Sequence, residues 1–263
     1  MKKYTKAPLP FLGQKRNWLR LINEINFDHM TVIDLFGGSG ILSHEIKRNN
    51  PNARVIWNDF DNYQGRLNQI EQTEALRQKI AKACSVFEKG TKLSGAAKDG
   101  ILKLIKESGT TDFITVSSWL LFSGNYCHSF DSLANKTWYI SPPKNPLNAA
   151  DYLSNVERVR MDYKELLSLY PGHENTVFIV DPPYIMTNQT GYSAKNDARF
   201  KLVDAIHLFK ELGSRKAVLF SSTKSESDEL LDLMNINVTE RHSLIVSPIP
   251  DRKYEDLCYR INF

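Results

Sequence analysis

The sequence predicts an α/β fold built on a doubly wound, mostly parallel sheet, with a helical insertion in the middle of the chain. Three observations predict it. Short apolar runs alternate with helix-spaced patterns through residues 31–62 and again from about residue 176 onward. Three of these runs end in polar clusters, two of them rich in glycine or proline. Between about Tyr63 and Leu153 the alternation stops and helical spacing takes over.

The elements follow in order. Thr31 to Phe36 is an apolar run that ends in Gly37-Gly38-Ser39-Gly40, and a helical pattern with Ile41, Leu42, Glu45 and Ile46 follows it. Ala53 to Asn58 reads as the next strand and ends at Asp59. Val177 to Val180 is a third, ending at Asp181-Pro182-Pro183-Tyr184. A helix near Ala198 to Leu212 leads into a strand at Lys216 to Phe220. A second helix at Ser225 to Met234 leads into Val238 to Val246, and a closing strand is expected near Leu257 to Phe263. In the insertion, helices are expected at Asn68 to Phe87, Ala96 to Ser108 and Phe113 to Phe122, with a polar, aromatic-rich loop from Ser123 to Pro143. The expected division is a main domain of residues 1–62 and 156–263 with an inserted domain at 63–155. Ligands of doubly wound sheets bind at the carboxyl ends of the strands, so the polar clusters are expected to converge.

Composition narrows the class. The chain has 263 residues, 41% hydrophobic and 24% charged, with a net charge of +4. Residues 65–160 carry 13 Lys+Arg against 9 Asp+Glu, an excess equal to that of the whole chain. A basic insertion suits a polyanionic partner without demanding one. Three cysteines with no CxxC pair fit a reducing compartment, and the six histidines show no metal-ligand spacing. No apolar run approaches the roughly 20 residues that span a bilayer. A soluble cytoplasmic protein without metal or membrane is the expectation, and a monomer suffices.

Two clusters carry chemistry. In Asp34-Leu-Phe-Gly-Gly-Ser-Gly40 the glycines let a ligand approach the backbone, and Asp59 at the next strand end suits the two hydroxyls of a ribose. A glycine turn alone would equally suit a purely structural bend with Asp59 as a helix cap. The leading Asp34 changes the balance, because a carboxylate at a strand end can hold a cationic amino group. In Asp181-Pro182-Pro183-Tyr184 two prolines fix a rigid turn, so the Asp181 carboxylate and the Pro182 carbonyl are two acceptors side by side. Two adjacent acceptors suit an NH2 group, and Tyr184 offers a ring to stack on a base. A third segment, Pro10 to Lys15, is weaker: Gly13 permits a turn and Lys15 offers a cation.

Together and in this order the segments resemble the Dam-type family of DNA N6-adenine methyltransferases. The F-x-G-x-K segment stands as Phe11-Leu-Gly13-Gln-Lys15, the D-x-F-x-G-x-G segment as Asp34 to Gly40, and D-P-P-Y as Asp181 to Tyr184. The resemblance implies a seven-stranded S-adenosylmethionine-dependent methyltransferase fold acting on double-stranded DNA. It implies that the cofactor is held by Phe11, Gly13, Lys15, Asp34, Phe36, Gly37, Gly38, Ser39, Gly40, Asp59, Phe60, Asp162, Tyr163 and Asp181. Asp162-Tyr163 would bracket the cofactor adenine. Leu121 to Tyr126 with Trp138 to Pro143 is similar to the family's DNA-contacting hairpin, which gives Asn125, Tyr126, His128 and Lys136 as DNA-contact candidates. Tyr192 and Lys195 in the loop after Tyr184 are added as closing on substrate. The family's usual asparagine and arginine recognition residues are not evident. The same scaffold also serves RNA adenine methylation and can persist as a silent DNA-binding relic, but Asp181 in the first position of D-P-P-Y favours DNA. A cytosine-C5 mechanism would need a cysteine after proline, which Cys84, Cys127 and Cys258 do not supply.

Overall fold

The structure is a computed structural model that describes residues 1–121, 125–139, 145–185, 200–249 and 252–263, without the side chains of 247–249 and 252. The chain divides into two compact units. The first comprises Met1–Thr5, Gln14–Asp61 and Leu153–Phe263; the second comprises Lys6–Gly13 and Asn62–Tyr152.

The first unit is a seven-stranded, mostly parallel sheet with flanking helices. Its strands are β1 (Thr31–Asp34), β2 (Arg54–Asn58), β5 (Glu157–Val159), β6 (Thr176–Val180), β7 (Lys216–Ser222), β8 (Val238–Ile249) and β9 (Arg252–Ile261). They lie in the order β5-β2-β1-β6-β7-β9-β8. The first five pair in parallel, and β9 runs antiparallel to both β7 and β8. Parallel strands covered on both faces need continuous apolar runs. β6 (TVFIV) has one, with all five residues buried. Helices α2 (Ile41–Asn49), α8 (Tyr163–Leu169), α9 (Leu202–Leu212) and α10 (Ser227–Leu233) connect the strands. Ile33, Ile56, Phe178, Val180, Leu208, Leu219 and Tyr259 lie in the core on one side. The chain leaves β1 toward β2 on one side, while β6 pairs on the other. That reversal makes the carboxyl ends of β1 and β6 a topological switch point, the place where doubly wound sheets bind ligands.

The second unit is mainly helical: α3 (Tyr63–Leu67), α4 (Ile70–Cys84), α5 (Gly95–Glu107), α6 (Phe113–Leu120) and α7 (Phe130–Ala134). Its own core gathers Leu76, Ile80, Ile101, Ile105, Val116, Trp119, Leu133 and Trp138. Asp112 caps α6 by accepting from the Thr115 amide, and Ser129 caps α7 from the Ser132 amide.

Four features depart from the sequence reading. The stretch expected as a loop from 123 to 143 contains α7 and the strand β4 (Trp138–Tyr139). β4 pairs antiparallel with β3 (Lys92–Leu93), a strand from a different stretch than the Leu121 to Tyr126 segment grouped with it in the sequence reading; residues 122–124 and 140–144 lie outside the described residues. Trp138 is wholly buried and donates its indole N–H to the Leu133 carbonyl, so it is a core residue rather than part of a DNA-facing hairpin. Where the sequence suggests a helix from Trp18 to Ile25, the structure has a 3-10 turn at Arg16–Trp18 and the short α1 at Leu19–Ile22.

Candidate active site

The site is built first by the turn between β1 and α2. The Gly40 amide bonds back to the Gly37 carbonyl at 2.7 Å, and the Gly40 carbonyl accepts from the His44 amide at 2.8 Å, which starts the helix. Gly40 has φ +73°, and a Cβ there would meet Leu153 Cδ2 at 2.8 Å. A Cβ on Gly37 would overlap the Trp57 indole and approach the Asn58 carbonyl. Both positions therefore admit only glycine without local rearrangement. Gly38 also lies in the left-handed region, Ser39 is buried, and Phe36 is half-buried against Tyr163 at 4.8 Å between ring centres.

Asp34 ends β1. Its side chain is 2% exposed, and Oδ2 accepts from Ser43 Oγ at 2.6 Å. Burial pushes its carboxyl up to about 7; the Ser43 hydrogen bond opposes this and the charge of Asp181 adds to it. Ile179 of β6 lies directly opposite Asp34, so Asp181 emerges two residues farther along the neighbouring strand. Asp181 Oδ2 is 2.7 Å from Lys15 Nζ, and both side chains are largely buried. Burial raises the Asp181 carboxyl, Lys15 pulls it down, and Asp256 pushes it up again. The Lys15 ammonium also lies 5.1 Å from the Tyr184 ring centre and 6.0 Å from that of Phe220. Pro182 is buried, and Pro183 and Tyr184 are half-buried. The first unit thus brings together Lys15, Asp34 and Asp181, with Tyr184 beside the lysine.

Along the next strand, Asp59 is wholly buried and its Oδ2 is 2.8 Å from Arg158 Nε of β5. Phe60 beside it is 51% exposed, and its carbonyl accepts from Arg160 Nε. Asn58 binds the Leu35 and Met161 carbonyls through Nδ2 and the Met161 amide through Oδ1, which ties three loops of this edge together. Asp162 is exposed and caps α8, accepting from the Lys164 amide at 2.8 Å. Tyr163 packs against Phe36 and Phe200, and burial raises its hydroxyl to about 12.

In the second unit, Phe11 meets Tyr63 edge-on at 5.8 Å, and Gly13 has φ +79°. Asn125, His128 and Lys136 are exposed, and Tyr126 is half-buried. Tyr192 and Lys195 lie outside the described residues. The sequence reading missed Ser43, Asn58, Arg158 and Asp256. Of these only Ser43 left a trace, since it stands one turn into the helix after Gly40 and can reach back to the strand end. Among the described residues there is no cluster of metal-binding side chains and no helix long and apolar enough to cross a membrane.

Residues 11–93 match the family described as D12 class N6 adenine-specific DNA methyltransferase. A Haemophilus influenzae protein named "Putative methyltransferase" is 35% identical over 249 residues, covering 91% of this chain and 83% of that protein. The chain belongs to this methyltransferase family. Among solved structures, TrmN from Thermus thermophilus superposes with a TM-score of 0.40 at 12% identity; the match covers 93% of the methyltransferase but only 47% of TrmN. A precorrin-6Y C5,15-methyltransferase from Geobacter metallireducens gives 0.39 at 12% identity, covering 99% and 97%.

Proposed function

We propose that the methyltransferase moves a methyl group from S-adenosylmethionine to the N6 amino group of an adenine in DNA. The observation that carries this reading is the pair of carboxyls at adjacent strand ends. Asp34 is buried and Asp181 largely so; the charge of Asp181 adds to the cost of ionising Asp34, and Lys15 pairs with Asp181. A buried carboxyl pushed up to about 7 is a poor structural element but a good receptor for an ammonium group. The glycine turn beside it is a cradle that a single Cβ would fill. These residues fit an amino-acid-bearing nucleoside.

In this reading Asp34 holds the ammonium of the cofactor, Lys15 its carboxylate and Asp59 its ribose hydroxyls. Gly37 to Gly40 leave room for its backbone contacts, and Phe36, Phe60, Asp162 and Tyr163 flank its base. When bound, the cofactor supplies an electrophilic methyl on a sulfonium sulfur. Asp181 and the Pro182 carbonyl accept the two hydrogens of the adenine amino group. That draws the nitrogen toward a tetrahedral form and localises a lone pair otherwise delocalised into the ring. Tyr184 stacks on the purine, and Pro183 keeps the turn rigid. Cys258, which stands across β7 from this strand end, is no nucleophile: burial pushes its thiol up to about 12.

The adenine must leave its duplex to be reached, at roughly a few kcal/mol in lost pairing and stacking. Basic residues of the helical insertion would offset part of that through phosphate contacts, with Asn125, Tyr126, His128 and Lys136 as the contact candidates there. Binding should therefore weaken with salt. The test is nucleoside analysis of DNA and of RNA incubated with the protein and methyl-labelled cofactor. N6-methyladenine in DNA is expected. N4-methylcytosine, label in RNA alone, or no label in either polymer would overturn the reading.

A further inference from the structure

We propose that Asp256 is a positioning residue of the methyl-transfer site, a second carboxylate that shares the Lys15 ammonium with Asp181. The inference rests on the reading above and adds a residue that no sequence motif marks.

The placement comes from strand register. β9 runs antiparallel to β7, so the start of β9 lies at the carboxyl end of β7, on the edge that carries the site. Ser222 pairs with Asp256 and Phe220 with Cys258. Side chains two apart on a strand share a face, so Asp256 and Cys258 stand on the face of Phe220. The Phe220 ring is the one that lies 6.0 Å from Lys15 Nζ. The charges agree with that position. Burial raises the Asp256 carboxyl, while Lys15 and then Lys224 pull it down. Asp181 in turn feels Asp256, and the Cys258 thiol, paired with Phe220 and two residues from Asp256, feels both Asp181 and Lys15. Lys224, exposed on the 3-10 turn after β7, sits 3.8 Å above the Tyr254 ring, and the Tyr254 hydroxyl senses Asp256. The titratable and charged groups around this cluster are therefore Lys15, Asp34, Asp181, Lys224, Tyr254, Cys258 and Asp256, with the Arg260–Glu240 pair beyond Cys258.

The consequence is mechanical. Asp181 must turn an oxygen toward the amino group of its substrate, yet Lys15 holds its Oδ2 at 2.7 Å. In the reading above Lys15 also faces the cofactor carboxylate, so an ammonium that gives up Asp181 loses one of its anionic partners, a costly change at a buried site. With Asp256 as a second anion, Lys15 keeps a partner while Asp181 is released. Lys224 opposes the effect of burial on the Asp256 carboxyl.

The test begins without cofactor or activity. Carbon-13 titration of the aspartate carboxyls is followed in the cofactor-free wild type, in Asp256→Asn and in Asp256→Glu. Removing the Asp256 charge should lower the Asp181 midpoint, and Asp256→Glu should restore it. In turnover, Asp256→Asn should lower kcat more than it alters KM for the cofactor, and its acid limb should move to lower pH with the Asp181 midpoint. An unmoved Asp181 midpoint in Asp256→Asn would sink the proposal. A wild-type protein without methyl transfer would sink the functional reading instead, and the titration would still judge Asp256. If Asp256→Asn does not fold, the wild-type Asp181 curve should show a second inflection at the Asp256 midpoint, and Lys224→Gln should move it upward. A single-step curve that ignores Lys224→Gln would overturn the proposal.

Discussion

The helical unit and the sheet edge treat buried charge in opposite ways. In the helical unit each buried ionic group meets a partner close by. Glu74 binds Arg77 at 2.6 Å and also accepts from Gln78 and the Leu147 amide. Arg77 holds the Glu74 carboxyl down at about 2. Arg66 reaches both oxygens of Asp112 and the Thr115 hydroxyl. At the sheet edge Asp59 and Asp181 are paired with Arg158 and Lys15, but Asp34 accepts from the Ser43 hydroxyl rather than from a cation, feels the charge of Asp181 and is pushed up to about 7. Charge that is locally satisfied serves to hold a loop or helix in place. Charge left in conflict is a store of binding energy for a ligand that brings the missing cation.

The sharpest break of this contrast is Asp181→Ala. Methyl transfer should fall about 10³-fold, as for other losses of a group that acts on developing charge, while cofactor affinity measured by calorimetry stays within about threefold. Loss of cofactor binding with retained turnover would reverse the assignment.

Asp34→Asn should separate stability from function. A carboxyl raised from 3.8 to about 7 contributes fully below pH 3.8 and loses its contribution as pH rises through 7. Above pH 7 the ionised group then costs up to about 4 kcal/mol. Denaturant unfolding at pH 8 should find the cofactor-free variant more stable than wild type, with cofactor affinity lowered at least about tenfold.

Glu74→Gln tests the other region with the opposite sign. Its carboxyl is lowered from 4.5 to about 2, so its contribution is present above pH 4.5 and lost as pH falls through 2. The variant should lose about 2 kcal/mol at pH 7, a penalty that shrinks on acidification, with methyl transfer unchanged at a temperature where both proteins are folded. The mildest change is Gly40→Ala. Its φ of +73° and the 2.8 Å approach to Leu153 should cost about 1–2 kcal/mol and weaken the cofactor. Hydrogen exchange in α4 and α5 should remain as in wild type.

Much of the sheet was legible because its strands are short apolar runs closed by unmistakable turns. Asp34, the glycine turn and Asp181 were found because each stands at the end of such a run. β5 escaped because Glu157–Val159 is an exposed edge strand whose composition carries no period. β3 and β4 escaped because two-residue strands have none to show. Trp138 looked like a surface aromatic in a polar loop, and only its indole bond to Leu133 reveals a core position. Asp256 was invisible for another reason. Its closeness to Lys15 depends on the register of β9 against β7, a pairing across more than 30 residues of chain.

That last pairing bears on how the protein matures during synthesis. β9 lies between β7 and β8, so β8 meets the sheet only through a strand made after it. Until residues 252–261 have left the ribosome, β7 presents a naked row of amides and carbonyls, with apolar Val218 and Phe220 along it. A nascent or prematurely terminated chain ending near residue 249 would therefore be adhesive as well as inert, an obvious client for chaperones and proteases.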